Sequence, residues 1–254
     1  MFAPGMLGYN VLAFIGCLAS IAILTSQLRQ QKLAAVHGVM IPLLVFVASR
    51  FSARFLYGVE SGQWHDDAGY YFSFGPGHTS QFAGLYPSLA IVFIYALAIR
   101  VPFLRLLDLV VPAACAAIAF GRIGCLIAGC CPGFLLPEGW SLPAWIPNSH
   151  HFPAALAEGL VAALLALFLL GVPATAFSSG ERTGWFFLLH GSARFLFQFI
   201  RADSDTISWG PLTSTQVLAI PLIVAGAFLL DRSKATLSPG RALSGDSVSV
   251  PARG

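Results

Sequence analysis

Long stretches without a single charged residue constrain this chain more than any other feature. The first 28 residues contain no Asp, Glu, Lys or Arg, and neither do residues 33–49, 68–99, 159–180 and 206–230. A helix needs about 20 mostly apolar residues to cross the hydrocarbon of a bilayer. We therefore predict an all-α integral membrane protein, a bundle of about seven transmembrane helices. The predicted crossings are residues 9–27, 35–55, 80–99, 105–125, 153–171, 183–200 and 214–231.

The composition argues against a soluble protein. Only 10% of the 254 residues are charged and 57% are hydrophobic, whereas a soluble domain carries about a quarter charged residues. The 14 Lys and Arg residues and the 11 Asp and Glu residues are too few to cover the surface of a soluble chain of this length. The formal net charge of +3 is small and scattered, so nucleic acid is not expected as a partner.

The distribution of basic residues predicts that the N-terminus lies outside and the C-terminus in the cytoplasm. In that orientation nine of the 14 Lys and Arg residues are cytoplasmic and five are outside, which follows the positive-inside rule. The nine are Arg29, Lys32, Arg100, Arg105, Arg182, Arg232, Lys234, Arg241 and Arg253; the five are Arg50, Arg54, Arg122, Arg194 and Arg201. The long loops, residues 56–79, 126–152 and 201–213, then share the outer side, so we expect an extracytoplasmic active face.

Two segments with different compositions divide the chain. Residues 1–232 hold all the predicted crossings and their loops, and we assign them to one membrane domain. Residues 233–254 are rich in Ser, Pro and Gly, a composition typical of disordered chains. The sequence therefore predicts a disordered cytoplasmic tail after the last helix.

Charged side chains inside apolar segments are the first candidates for a functional site. Arg122 lies among glycines in GRIGCLIAGCCPG (residues 121–133), and Arg194 lies in HGSARFLFQFIRADS (residues 190–204). A charge in a spanning segment costs about 2.5–3.5 kcal/mol on insertion scales, so it is a functional hypothesis by default. Arginines on two helices would form a positive pocket for a phosphate, which guanidinium groups bind bidentately. The alternatives are that Arg122 extends to lipid headgroups while the glycines pack helices, and that Arg194 belongs to a basic face on anionic headgroups.

Further polar residues extend this candidate site. Four polar side chains share one face of the predicted helix over residues 183–200 and its extension: His190, Arg194, Gln198 and Arg201. Glu158 lies in HHFPAALAEGL (residues 150–160), near the entrance to a predicted crossing. We expect Glu158 to pair with an arginine, and this structural role is favoured over a catalytic one.

The five cysteines match no common metal-binding pattern. Cys17 and Cys115 lie in apolar helices and are expected to be small core residues. Cys125, Cys130 and Cys131 form C-x4-C-C, which is not a standard zinc pattern, so no metal is predicted. Packing or a disulfide is favoured for these three over a reactive thiolate. P-loop, G-x-S-x-G, H-E-x-x-H and nucleotide-binding patterns are missing from the sequence, so no cofactor is expected.

Several segments together resemble the prolipoprotein diacylglyceryl transferase family. GRIGCLIAGCCPG is similar to the family's glycine–arginine signature, and GWFFLLHGSARFLFQFIRADS is similar to its later arginine-containing block. SARFLYGV, HFPAALAEGL and WGPLTSTQVLAIPLIVAGAFLL resemble further family segments, in one order over residues 9–231. The resemblance implies a multi-pass protein of the bacterial inner membrane. Such an enzyme moves the diacylglyceryl group of phosphatidylglycerol to the lipobox cysteine of a prolipoprotein and releases glycerol phosphate.

The resemblance also implies roles for individual residues. Arg122 matches the arginine that holds the phospholipid headgroup. Arg194 matches the essential arginine of the later block, and Arg201 matches its companion. Glu158 matches the acid of the H-P-S-Q-L-Y-E segment. The predicted catalytic residues are Arg194, His190 and Arg122, with His190 or His78 as the general base. The predicted phosphatidylglycerol-binding residues are Arg122, Arg194, Arg201, Gly121, Gly124, Cys125, Glu158, Gln198, Arg54 and His78.

The chain departs from the family pattern at several acid–base positions. Cys125 stands where the family usually has Asn, and Cys130 stands where the family usually has Glu. Gln198 stands where the family has an acid. The remaining departures are Phe82, Ala157 and His190. The arginines that match the family pattern, Arg122, Arg194 and Arg201, are kept. Three alternatives stay open: a divergent relative that uses another acceptor or binds anionic phospholipid without this transfer, a non-enzymatic lipid-binding membrane protein, and a small-anion transporter. The lack of an inverted repeat disfavours the transporter.

Overall fold

The chain folds into a bundle of α-helices in the computed structural model, which describes residues 4–61, 64–72, 82–173, 176–202 and 208–237. The helices are α1 (Pro4–Gln30), α2 (Val36–Ser61), α3 (Ala68–Phe72), α4 (Phe82–Ala98), α5 (Phe103–Ala128), α6 (Ala154–Gly171), α7 (Glu181–Phe197) and α8 (Ser214–Leu237). Two short strands, β1 (Ser208–Trp209) and β2 (Leu212–Thr213), form an antiparallel pair just before α8. The predicted all-α class is confirmed.

Five of the described helices contain segments long and apolar enough to cross a membrane. These segments are Leu7–Gln30, Val36–Phe55, Phe103–Ala128, Ala154–Gly171 and Ser214–Lys234. The apolar part of α4, Gly84–Ala98, is shorter than the roughly 20 residues of a perpendicular crossing. Helix α7 has only 17 residues and includes Glu181, Arg182 and Arg194. Membrane integration is therefore supported, whereas the count of about seven crossings and the orientation of the termini remain predictions.

Several helix boundaries differ from those expected, and the ends of α7 and α8 bear on other predictions. Helix α7 ends at Phe197, so the predicted crossing over residues 183–200 is too long at its C-terminal end. Helix α8 continues to Leu237 and so enters the tail that was predicted to be disordered from residue 233. Residues 238–254, and the candidate base His78, lie outside the described residues.

Helix α5 is the element around which the site is built, because it packs against α1, α4, α6 and α7. The Ser20 hydroxyl of α1 donates a hydrogen bond of 2.8 Å to the Ala113 carbonyl of α5, which fixes these two helices against each other. On the other side of the bundle, a Cβ added to Gly226 of α8 would lie 2.5 Å from the Leu188 nitrogen of α7. Small residues at such contacts let helix backbones approach closely.

A buried carboxylate on α5 fixes the start of α7. One oxygen of Asp108 accepts hydrogen bonds from the backbone N–H and the hydroxyl of Thr183, at 2.8 and 2.7 Å, and the other accepts from the Gly180 N–H at 2.6 Å. Gly180, with φ 89°, is the N-cap residue of α7 and provides no side-chain cap itself. Asp108 therefore caps α7 from a neighbouring helix. Asp108 is not recognisable as a cap from the sequence, because nothing in its local sequence indicates its partner.

Replacing Asp108 with Ala should lower the free energy of unfolding by about 1–3 kcal/mol, because buried N–H groups of Gly180 and Thr183 lose their acceptor. The measurement is unfolding of the purified protein in mixed micelles titrated with a denaturing detergent. Asp231→Ala, at an exposed position of α8, is the control and should change stability by less than about 0.5 kcal/mol. Equal stability of the two variants would contradict the capping role of Asp108.

Candidate functional site

Three arginines from three different segments converge on one carboxylate. Arg122 Nη2 lies 2.7 Å from Glu158 Oε2, while Arg194 Nη1 and Arg201 Nη1 lie 2.7 and 3.3 Å from Glu158 Oε1. Arg122 is near the end of α5, Glu158 near the start of α6 and Arg194 near the end of α7. The prediction that Glu158 pairs with an arginine is confirmed, and the structure adds that three arginines share it. We call these four residues the arginine cluster.

The arginine cluster is an electropositive site shielded from solvent. The four side chains are between 4 and 11% exposed, and together they carry a formal charge of +2. Water screens charges weakly in such a position, so an anion entering it is attracted more strongly than at the protein surface. Burying a charge is costly unless it is paired, and Glu158 provides the shared partner. Guanidinium groups placed in this way can bind an anion with several oxygen atoms.

Arg201 reaches the cluster by a route that the sequence analysis did not predict. Helix α7 ends at Phe197, so Arg201 does not continue the helical face of His190 and Arg194, and that part of the prediction is wrong. Instead, Arg201 forms an isolated antiparallel bridge with Gly133, in the loop after α5. The Ala202 N–H donates to the Pro132 carbonyl at 3.1 Å and extends this pairing. The loop after α5 therefore positions one of the three arginines.

A small hollow lies beside the cluster. Arg122, Glu158, His190 and Arg194 line it, together with apolar side chains of α5, α6 and α7. The His190 ring stacks on Phe186, with 5.1 Å between ring centroids and 9° between ring planes. The structure thus brings two of the predicted arginines, the predicted acid and one predicted base to a single hollow. Gln198, the C-cap residue of α7, is buried near this end of the helix.

The other predicted lipid-binding residues have different surroundings. Gly124 packs against Tyr9 of α1, where an added Cβ would lie 3.0–3.4 Å from Tyr9 atoms, so close packing accounts for this glycine. Gly121 has no such neighbour within 4 Å of an added Cβ. Arg54 is buried, donates to the Tyr70 carbonyl and lies 4.5 Å from the centroid of the Tyr70 ring. Lipid binding by these residues remains a prediction.

Three cysteines lie together next to the arginine cluster. The sulfur atoms of Cys125, Cys130 and Cys131 all lie within 4.8 Å of one another, and all three residues are free thiols. The pKa of the Cys131 thiol is lowered, because the neighbouring thiols and the guanidinium groups of Arg201 and Arg122 stabilise its thiolate. The two remaining cysteines are buried in the helical core, as predicted. The triplet is recognisable in the sequence, whereas its close convergence is visible only in the structure.

Replacing Glu158 with Ala should destabilise the protein by about 3–5 kcal/mol, since three buried guanidinium groups lose their shared counter-charge. Glu158→Gln tests the charge with the side-chain volume kept, and it should also be strongly destabilising. Glu138→Ala, at an exposed loop position, should change the stability by less than about 0.5 kcal/mol. The stability of all three variants is measured by unfolding in a titration with denaturing detergent. A Glu158→Ala variant as stable as the Glu138→Ala variant would contradict the stabilising role of the Glu158 carboxylate.

Comparison with known proteins connects this geometry to a family. Residues 6–231 match the family model described as prolipoprotein diacylglyceryl transferase. The chain is 26% identical over 238 residues to the phosphatidylglycerol–prolipoprotein diacylglyceryl transferase of Clostridium tetani (strain Massachusetts / E88), covering 91% of this chain and 94% of that protein. It is 30% identical over 191 residues to the protein of the same name from Idiomarina loihiensis, covering 69% and 67%. This multi-pass bacterial membrane protein therefore belongs to the prolipoprotein diacylglyceryl transferase family.

Proposed function

We propose that this protein transfers the diacylglyceryl group of phosphatidylglycerol to the lipobox cysteine thiol of prolipoproteins. The observation that carries the proposal is the convergence of Arg122, Arg194 and Arg201 on Glu158, beside a hollow that His190 also lines. Relatives named phosphatidylglycerol–prolipoprotein diacylglyceryl transferase support the choice of both substrates. The reaction is placed at the extracytoplasmic face of the inner membrane, in agreement with the predicted orientation.

The arginine cluster is suited to the phosphate of the lipid headgroup. A guanidinium group has five N–H donors in a planar fork that matches phosphate oxygens. In each arginine, a terminal nitrogen lies within 3.3 Å of a Glu158 oxygen. The three arginines come from separate segments, so they surround a bound group from several directions. We infer that Glu158 holds the guanidinium groups in place while they bind the phosphate.

The charge of the cluster also suits the chemical step. In the transfer, a C–S bond forms between the thiol sulfur and a glycerol carbon while the C–O bond from that carbon to the phosphate breaks. The electron pair of the C–O bond leaves with glycerol phosphate, which becomes a monoester with a charge of about −1.5 to −2 near neutral pH. The phosphodiester of the intact lipid carries only one negative charge. A cluster with a formal charge of +2 therefore stabilises the leaving group more than the substrate, which is the requirement for lowering the barrier.

The thiol proton needs an acceptor in the same hollow. The carboxylate of Glu158 is engaged by three guanidinium groups, so it is poorly placed to take a proton. His190 lines the hollow and lies one helical turn from Arg194. A neutral imidazole can accept the proton as the sulfur attacks. We therefore assign His190 as the general base.

Replacing Arg122 with Gln should lower the transfer rate by about 10²–10³-fold, the usual cost of losing one group that stabilises developing charge. The measurement uses the purified full-length protein, vesicles with labelled phosphatidylglycerol and a lipobox peptide. Arg105→Gln is the matched control, because Arg105 is exposed on the same helix, about 25 Å from Arg122 along its axis. Equal rates for both variants would contradict the proposal. Lipid binding without transfer by the unmodified protein would instead support the divergent lipid-binding relative.

Replacing His190 with Gln should lower the transfer rate by about 10²–10⁴-fold, the usual contribution of a general base, while phosphatidylglycerol binding is kept. His150→Gln, in the exposed loop after α5, is the control and should keep the full rate. Lipid binding is measured in the same preparations by retention of labelled lipid on the immobilised protein. Unchanged transfer by the His190→Gln variant would remove His190 from the mechanism and leave the arginine cluster unaffected.

A further inference from the structure

We propose that Cys125, Cys130 and Cys131 form a binding site for one thiophilic d¹⁰ metal ion, Zn²⁺ or Cu⁺. Their sulfur atoms lie within 4.8 Å of one another. Thiolates are the ligands that both ions prefer. The site lies beside the arginine cluster, and it is a structural site that does not depend on the proposed transfer reaction.

The backbone explains how an unusual spacing brings three thiols together. Helix α5 ends at Ala128, and the left-handed conformation of its C-cap residue Gly129, with φ 68°, turns the chain back on the helix. The Cys130 N–H then donates to the Cys125 carbonyl at 3.1 Å, which places the two residues side by side. Two thiolates on a tetrahedral zinc ion, each about 2.3 Å from the metal, lie about 3.8 Å apart. The 4.8 Å limit on the sulfur separations leaves only a small adjustment for metal binding.

A fourth ligand is available next to the triplet. Cys130, Cys131 and His151 line a common small hollow. His151 Nδ1 is buried and has no hydrogen-bond partner in the described part of the chain. A buried polar nitrogen without a partner is costly, and an imidazole nitrogen is a common zinc ligand. His151 lies outside the group within 4.8 Å, so rotation of its side chain would be needed to complete a Cys₃His site for Zn²⁺. Without this rotation, three thiolates suit Cu⁺.

The neighbouring charges favour a negatively charged metal–thiolate group. Three thiolates with Zn²⁺ carry a charge of −1, and with Cu⁺ they carry −2. The arginine cluster, with a formal charge of +2, is close by, because Arg122 lies one turn before Cys125 on α5 and Arg201 pairs with Gly133 just after Cys131. The nearby cations would stabilise such an anionic centre. In turn, a bound ion would hold the loop that positions Arg201.

Metal content is the first test. The full-length protein is purified in detergent with a thiol reductant and without chelators, and its metals are measured by mass spectrometry. About one zinc or copper ion per chain is expected. After removal of the metal, Co²⁺ is added as a probe of a zinc site, and Cu⁺ is added in competition with a chromogenic Cu⁺ chelator. Thiolate-to-cobalt charge transfer with tetrahedral d–d bands assigns Zn²⁺, whereas capture of Cu⁺ from the chelator without these cobalt bands assigns Cu⁺.

Matched variants locate the ion. Cys130→Ser should lower the metal content at least about 10-fold, since even losing an outer partner of a metal ligand costs roughly 10–100-fold in affinity. Cys115→Ala, which removes a buried cysteine of α5 outside the triplet, should keep the ion. His151→Ala should weaken a Cys₃His zinc site and leave a three-thiolate copper site unchanged. Elution volume and melting temperature of each variant show that it is folded.

Two results would overturn the proposal. In the first, the unmodified protein retains no more metal than the Cys130→Ser variant after loading with Zn²⁺ and Cu⁺. In the second, protein alkylated at cell lysis without reductant contains a disulfide among these three cysteines. Neither readout involves diacylglyceryl transfer, so the site and the proposed function fail or succeed separately.

Discussion

The ion pairs between Glu158 and three guanidinium groups are the interaction on which the rest of the site depends. Three like charges held close together in a poorly screened environment repel strongly, and Glu158 is the carboxylate that they share. The contact requires α5 and α6 to approach closely. Gly159, next to Glu158, allows this approach, because a Cβ at this position would lie 3.1 Å from Arg122 Cβ. The close packing of α5 against α6 and the pairing of charges therefore both occur around Glu158.

In the proposed function, a carboxylate among arginines also prepares the site for the lipid phosphate. Without Glu158, the guanidinium groups would separate towards water or headgroups, and lipid binding would have to bring them together again. With Glu158, their positions would be set before the phosphate arrives, so less reorganisation would accompany the proposed reaction. The cluster keeps a formal charge of +2, so this preparation does not remove its attraction for an anion. Preorganisation of this kind has the largest effect where water is excluded.

The sequence reveals the members of the site but only part of its assembly. Arg122, Glu158 and Arg194 could be identified because charges in apolar segments are costly and rarely incidental. The route of Arg201 could not, because it depends on a backbone bridge to Gly133, which is far away in the sequence. The helical class follows from the charge-free stretches, whereas the end of α7 at Phe197 could not be read from the sequence. The convergence of the cysteine triplet depends on two left-handed residues, Gly129 with φ 68° and Cys131 with φ 62°.

Two buried carboxylates at opposite ends of the bundle show why residue type alone does not define a functional site. Asp108 and Glu158 both anchor contacts to α7 and are both buried. Asp108 accepts hydrogen bonds from backbone N–H groups that no other ligand would compete for, so its interactions stabilise the fold. Glu158 interacts with guanidinium groups, and a phosphate can bind to these groups as well. The partners, rather than the carboxylate or its burial, distinguish a structural anchor from a site prepared for an anion.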